Sequence, residues 1–161
     1  LDKEEIGLKK ESLDLHEVIH ESIKNIAPSV SSHMGKIELK LHATRTTIMA
    51  DKLHLTNVFY NLLDNALKYC KVEPRIVIKT TDTGAGIQIS FQDNGIGIHL
   101  ENQKKVFQKF FRVPTGNIHD VKGFGIGLNY VKLVVSAHRG KINLVSEPGK
   151  GSTFTLVLPP L

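Results

Sequence analysis

One helix-forming run constrains this chain more than any other segment. Residues 58–70 read VFYNLLDNALKYC. Asn61, Asn65 and Lys68 stand at positions i, i+4 and i+7, so a helix places them on one stripe. The neighbouring stripe is apolar and comprises Leu55, Val58, Leu62 and Ala66. Asn is unfavourable inside a helix, so two of them four residues apart indicate more than a solvated face. We predict a core helix with a functional polar edge.

Two glycine-rich segments follow this helix. The first, DNGIGI at 93–98, has two interpretations: Asn-Gly is a strong hairpin signal, whereas an aspartate at a strand end followed by glycines can receive a ligand. The second, GFGIGL at 123–128, is either a hinge or a set of unpaired amides that bind phosphate at a helix start. It matches neither the dinucleotide fingerprint nor the P-loop. With the polar helix edge, these segments make a nucleotide pocket the leading hypothesis.

The rest of the pattern interleaves helices and strands. Asp14 is expected to cap a helix over 15–27 that ends before Pro28, and Asp51 is expected to cap the polar-edged helix. Further helices are expected at 99–111 and from Gly125 to a terminal glycine at Gly140.

Alternating apolar residues predict strands that pair mainly as hairpins. The expected pairs are 37–41 with 46–50, 75–80 with 86–91, and 141–146 with 152–158. This order indicates an α/β fold, a two-layer sandwich in which a mixed, mostly antiparallel sheet packs on about three helices.

Composition narrows the functional class. The formal net charge is +5, and the lysines are scattered with few aromatics between them, whereas a nucleic-acid surface needs clustered charge. We expect no nucleic-acid partner and a basic surface suited to an anionic ligand.

The single cysteine, Cys70, excludes an internal disulfide and favours a reducing compartment. No apolar run approaches the roughly 18 residues of a membrane span, so a cytoplasmic location is expected.

The order and separation of the motifs are more specific than any motif alone. The series closely resembles the catalytic, ATP-binding domain of sensor histidine kinases, within the wider ATPase family of gyrase, heat-shock chaperones and mismatch-repair proteins. NLLDNALKY looks like the N box of that family, DNGIGI its G1 box, VFQKFFRV its F box and GFGIGL its G2 box. The closing GKINLVSEPGKGSTFTLVLP resembles the final hairpin of the family. The resemblance covers roughly residues 10–160 and implies the Bergerat-type sandwich fold.

The resemblance implies ATP and magnesium as ligands, and assigns roles by position. Asn65 would hold magnesium with Asn61 beside it, and Tyr69 would lie against the nucleoside. Asp93 would accept a hydrogen bond from the adenine amino group, with Gly95 and Gly97 nearby.

The remaining assignments concern the phosphates. Lys68 would meet phosphate, and the G2 box would cradle the phosphates through Gly123, Gly125, Gly127 and Leu128. Residues 112–122 would form a lid, from which Arg112 would reach the γ-phosphate. Phe124 stands where many relatives have Ser or Thr, so a hydroxyl contact from that position is absent. Three phenylalanines are expected to anchor the lid to the core: Phe107, Phe110 and Phe111.

The resemblance also implies phosphoryl transfer to a protein rather than to water. Hydrolysing relatives place a glutamate where Asn61 stands, and an amide cannot act as the general base for water. Losing a positioned base costs about 10²–10⁴ in rate. The expected catalytic residues are Asn61, Lys68 and Arg112.

An acceptor histidine with its surrounding motif is missing from the sequence. The dipeptides His16-Glu17 and His20-Glu21 lack that context and are expected to be ordinary helix surface. We expect residues 1–12 to be a connector from a separate dimerisation and phosphoacceptor domain, and residues 13–161 to be the catalytic domain.

The expected partners are this acceptor domain and the receiver domain of a response regulator. The chain itself is expected to be monomeric, and its parent a homodimer that is either cytosolic or anchored in the inner membrane. Two alternatives stay open: a serine-directed kinase of the anti-sigma-factor type, and a nucleotide-sensing module without transfer activity.

Overall fold

The computed structural model describes residues 6–108 and 127–161. Seven strands are found in this part of the chain: β1 (Glu11–Asp14), β2 (Lys36–Leu41), β3 (Thr47–Ala50), β4 (Arg75–Thr83), β5 (Gly86–Asp93), β6 (Lys141–Glu147) and β7 (Gly151–Leu158). Five of them form one sheet in the order β2–β4–β5–β7–β6. Its β2–β4 pair is parallel and the other pairs are antiparallel, as the mixed, mostly antiparallel prediction requires.

The helices are α1 (Leu15–Ser32), α2 (Lys52–Lys68), the short α3 (Leu100–Gln103) and α4 (Gly127–Ala137). Both predicted caps are confirmed. The Asp14 carboxylate accepts from the backbone N–H of His16 at 2.9 Å, and that of Asp51 accepts from His54 at 3.0 Å. Each cap satisfies an amide that the first helical turn leaves unpaired.

One core joins the helical layer to one face of the sheet. The alternation of β4, β5 and β7 turns every second side chain towards the helices, including Ile78, Ile89 and Leu156, which are fully buried. From α2, Phe59 reaches this face and packs on Phe91 with ring centroids 5.4 Å apart. The predicted two-layer α/β sandwich is confirmed.

The prediction that 46–50 pairs with 37–41 is wrong. β3 pairs antiparallel with β1 in a separate two-stranded sheet, and β2 pairs parallel with β4. The intervening loop explains the difference. The backbone amides of Thr44 and Arg45 donate to the Asp82 carboxylate at 2.9 and 3.0 Å. This contact turns the chain over the end of β4 instead of back along β2.

Helix α1 is longer than predicted, because Pro28 lies inside it and the helix continues to Ser32. Proline removes one helical hydrogen bond. However, Val30 continues the apolar stripe of Ile19 and Ile26 and is buried, so core packing outweighs the loss.

Two further boundaries differ from the prediction. Of the expected helix at 99–111, residues 109–111 lie outside the described part of the chain. Residues 99–108 contain only α3, followed by turns. At the end of α4, Arg139 rather than Gly140 adopts the left-handed conformation, with φ of 59°. Gly140 is needed for close packing instead, since a Cβ there would lie 2.6 Å from the carbonyl oxygen of Val157.

Candidate functional site

The polar edge of α2 is present as predicted. Asn61 and Asn65 are half-buried, whereas the apolar stripe beside them faces the core. The Asn61 Nδ2 group donates to the Asn57 carbonyl at 2.9 Å, which orients its side chain. Lys68 lies one turn further on and forms a 2.7 Å ion pair with Asp64. The edge therefore offers two amide oxygens followed by a cation.

The start of α4 faces this edge. A Cβ on Gly127 would lie 3.4 Å from the Asn61 Oδ1 atom, an ordinary contact distance, so the beginning of α4 lies beside the amide. Leu128 packs against the core beside it. The sequence thus brings together two segments more than 60 residues apart.

Asp93 is the last residue of β5, and its carboxylate is held in place by the backbone. Its Oδ1 atom accepts from the amides of Gly95 at 2.8 Å and Ser152 at 3.3 Å. Among the described residues, both bonds fall on this one oxygen, which leaves Oδ2 to accept from another group. Burial raises the pKa of Asp93, and the two amide bonds only partly oppose that shift. A half-buried carboxylate with one oxygen bonded to the backbone and the other left as an acceptor is suited to binding a ligand amino group.

The loop that follows Asp93 is fixed between α2 and the β6–β7 turn. The Ile96 amide donates to the Tyr69 carbonyl at 2.8 Å, and the Gly149 amide donates to the Ile96 carbonyl at 2.8 Å. Gly95 must be small, because a Cβ there would lie 2.6 Å from the Tyr69 oxygen. Gly97 has φ of 72° and lies directly against the Glu147 carbonyl, where no side chain fits. The hairpin interpretation of this segment is therefore wrong.

Tyr69 connects this loop to the polar edge. Its amide donates to the Asn65 carbonyl at 3.1 Å, and its carbonyl accepts from Ile96. Hydrogen bonds and the Gly95–Ile96 backbone therefore connect the predicted residues Asn65, Tyr69, Gly95 and Asp93.

Sequence reasoning missed the contribution of the last hairpin. Ser146 accepts from the Ile98 amide at 2.7 Å and pairs with the Ser152 hydroxyl at 2.7 Å. Gln103 closes the group by donating to the carbonyls of Ile98 and Ser146, at 2.8 and 3.0 Å. The only signal in the sequence is the pair of serines, Ser146 and Ser152, that flank EPGKG between the two strands of the predicted hairpin.

Several predicted residues lie outside the described part of the chain. These are Arg112, Gly123, Gly125, Phe110, Phe111 and the whole of the expected lid at 112–122. Phe107 is described and packs edge-on against Phe154, with ring centroids 6.2 Å apart. This contact agrees with a role in the core rather than in ligand contact.

The donor set fits a magnesium–nucleotide complex better than a metal held by protein alone. No group of three or more His, Cys, Asp or Glu side chains that could hold a metal is found within residues 6–108 and 127–161. Magnesium needs only one or two protein oxygens when phosphates and water supply the rest, and an Asn oxygen suffices.

A cavity of about 170 Å³ lies elsewhere, lined by Lys10, Met49, His138, Arg139 and the C-terminal residues.

Comparison with known proteins places this geometry in context. The family model described as histidine kinase-, DNA gyrase B- and HSP90-like ATPase matches residues 50–161. Sensor protein RprX of Bacteroides fragilis is 48% identical over 162 residues, covering 99% of this chain and 31% of that protein. Sensor-like histidine kinase SenX3 of Mycobacterium tuberculosis is 35% identical over 150 residues, covering 92% of this chain and 36% of that protein.

A solved structure shows the same likeness. The mycobacterial sensor histidine kinase MprB matches with a TM-score of 0.77 at 28% identity, covering 94% of this chain and 99% of the MprB chain. The chain spans about a third of the length of the curated relatives it matches. None of the helices in the described ranges is long and apolar enough to cross a membrane.

Proposed function

The chain belongs to the histidine kinase-, DNA gyrase B- and HSP90-like ATPase family, and on that premise we propose that it is the catalytic domain of a sensor histidine kinase. It binds ATP and passes the γ-phosphoryl group to a histidine on a separate dimerisation domain. The observation that carries this proposal is the meeting of three segments: the polar edge of α2, the Asp93 loop and the start of α4. They are remote in sequence and adjacent in space, as a ligand with a base at one end and phosphates at the other requires.

The base end of the proposed pocket is built around Asp93. Its Oδ2 atom accepts from the adenine amino group, while Gly95 and Gly97 keep the loop close to the nucleoside. Tyr69 lies against the nucleoside. The backbone bonds to Oδ1 hold the carboxylate in the receiving orientation before ATP arrives, so little reorganisation is needed.

The phosphate end is built on α2 and α4. Asn65 supplies an oxygen to magnesium, and Lys68 exchanges its Asp64 partner for phosphate. The amides of the G2 box, including that of Gly127, bind the phosphates, and Arg112 reaches the γ-phosphate. When bound, magnesium neutralises charge that develops as the phosphoryl group leaves.

Asn61 favours a protein acceptor over water. An amide at this position can orient groups but cannot remove a proton, so the domain holds ATP without rapid hydrolysis. The partners are a dimerisation domain reached through the connector, and downstream the receiver domain of a response regulator. The parent is a homodimer.

The decisive experiment joins the chain to its acceptor domain. We expect the chain alone to bind magnesium–ATP without labelling itself, and the parent protein to form an acid-labile, base-stable phosphoramidate. Asn65→Ala should weaken magnesium-dependent binding roughly ten- to a hundredfold. The exposed Asn143→Ala on β6 is the matched control.

Other outcomes identify the alternatives. Acid-stable phosphoserine on a partner would support the serine-directed kinase, and nucleotide binding without transfer in the parent would support a sensing module. Rapid self-phosphorylation of the chain alone would contradict the proposal and direct attention to His16 and His20.

A further inference from the structure

A buried carboxylate joins the connector to the helices of the proposed site. Asp51 is 6% exposed, although it stands at the start of α2. Its Oδ1 atom accepts from the His54 amide at 3.0 Å and caps α2. Its Oδ2 atom accepts from the Lys9 amide at 2.8 Å, across 42 residues of sequence. The two oxygens therefore serve two different segments.

The backbone of Asp51 reaches a third segment. Its N–H donates to the Nε2 atom of His138 at 3.0 Å. His138 lies just beyond α4, is buried, and donates from Nδ1 to the Val134 carbonyl at 2.8 Å. Because Nε2 accepts from an N–H it carries no proton, so with its proton on Nδ1 the imidazole is neutral. Burial lowers the pKa of His138, which favours this state.

The Lys9 bond extends the β1–β3 pairing. The pairing of β1 with β3 ends at Glu11 and Ala50. Beyond Ala50, Asp51 caps α2, so β3 offers no further strand residue to pair with the chain before Glu11. The Asp51 side chain replaces the missing strand carbonyl and accepts from the amide of Lys9, two residues before β1. Ile6 packs against the core in the same stretch. Residues 6–10 are thus attached to the domain surface rather than to β1 alone.

We propose that Asp51 is a positioning residue for phosphoryl transfer, because it fixes the direction in which the connector leaves the catalytic domain. The proposal rests on the proposed function. A phosphoryl group transfers only when donor and acceptor meet at about 3–3.5 Å in a line, so loss of a fixed connector lowers the rate without changing nucleotide contacts. The same residue holds the start of α2 through its carboxylate and the end of α4 through its backbone N–H bond to His138.

A carboxylate is required because two N–H groups approach two separate oxygens. An asparagine has one acceptor oxygen, so Asp51→Asn satisfies either the helix cap or Lys9, but not both. Asn caps helices as well as Asp does, so the variant should fold. The connector bond can also be removed from the other side, since Lys9→Pro deletes the donor. Lys9→Ala keeps the N–H and is the matched control.

The test uses the parent protein with its acceptor domain, and measures histidine phosphorylation against ATP concentration. We expect Asp51→Asn and Lys9→Pro to lower kcat roughly tenfold, the scale of one charged hydrogen bond, with KM for ATP unchanged. Lys9→Ala should behave like the parent. Combining Asp51→Asn with Lys9→Pro should lower kcat no further, because both remove one contact.

Amide hydrogen exchange supplies an independent measurement. In Asp51→Asn the amides of residues 6–10 should exchange at least tenfold faster than in the parent. A fall in kcat with Asp51→Asn but not with Lys9→Pro would assign the effect to the helix cap and overturn the proposal. Equal kcat in all variants would overturn it while leaving the proposed function intact. A parent that never phosphorylates histidine would refute the proposed function itself.

Discussion

Asp93 shows how a single residue meets opposing demands. Asp93 is half-buried, and this burial raises the pKa of its carboxyl and makes the charged form costly in the folded protein. In the proposed function, however, the ionised carboxylate accepts from the adenine amino group at Oδ2. The amides of Gly95 and Ser152 recover part of that cost by donating to Oδ1. Under the proposed function, Asp93 therefore favours ligand binding over stability.

This trade-off predicts that Asp93→Asn separates binding from stability. The amide oxygen can still accept from Gly95 and Ser152, which turns the NH₂ group towards the adenine amino group, donor against donor. ATP and ADP affinity should fall roughly ten- to a hundredfold by calorimetry. Asp14→Asn, an equivalent change at a helix cap, should leave affinity unchanged.

The pH dependence of unfolding gives the second half of this prediction. Because the folded pKa of Asp93 is raised, its contribution to stability is complete below its ordinary value of 3.8 and is lost as pH rises through the folded pKa. Asparagine does not titrate. As pH rises, the free energy of unfolding of Asp93→Asn should therefore increase relative to that of the parent. A constant difference in urea unfolding from acid to neutral pH would contradict this.

At the scale of elements, local patterns were reliable where one helix or hairpin determines the outcome. The caps at Asp14 and Asp51, and the hairpins β4–β5 and β6–β7, follow from residue type and alternation alone. The partner of β3 does not, because the Asp82 contacts that redirect the chain join residues 37 and 38 positions apart. The site follows the same rule: Asp93 was predicted from its own motif, whereas Ser146 and Gln103 act only through the fold.

Helix α1 offers a test of packing against propensity. Pro28 lacks the N–H that would donate to the carbonyl four residues earlier, so Pro28→Ala should raise the free energy of unfolding by about 1–3 kcal/mol. Val30→Ala should lower it by about 2 kcal/mol, because two buried methyl groups are lost. Urea unfolding measures both. A destabilised Pro28→Ala variant would show that the proline fits its site better than an alanine.

The contact between α2 and α4 should depend on pH through His138. The folded pKa of His138 is lowered, so its contribution to stability is present above its ordinary value of 6.5 and is lost as pH falls through the folded pKa. His138→Gln should be less stable by about 1–3 kcal/mol at pH near 7.5, and the gap should narrow in acid. His16, whose pKa burial also lowers, is present in both proteins and cancels in the difference.

At the scale of the whole molecule, the two sheets have different tasks. The five-stranded sheet and its helices form the core, and its β5 end presents Asp93. The β1–β3 pair lies beside this core and joins the N-terminal stretch to α2 through Asp51. The proposed division between connector and domain at residue 12 stays a prediction, and β1 extends across it. The extent of the folding unit is therefore a question that truncation can decide.

We predict that stability falls stepwise as the chain is shortened from its N-terminus. A chain starting at residue 11 loses the Lys9 bond and the Ile6 contact, and its free energy of unfolding should fall by about 1–3 kcal/mol. A chain starting at residue 15 also loses β1 and the Asp14 cap, which exposes Ile48 and the amide of His16 and should cost about 2 kcal/mol more. A start at residue 13 should be intermediate, since it keeps the cap but divides β1. Urea unfolding of the full chain and the three truncated chains measures these steps, with ADP binding as a check that each is folded. If the three truncated chains were equally stable, β1 would not be part of the folding unit. If they also matched the full chain, the Lys9–Asp51 contact could not fix the connector.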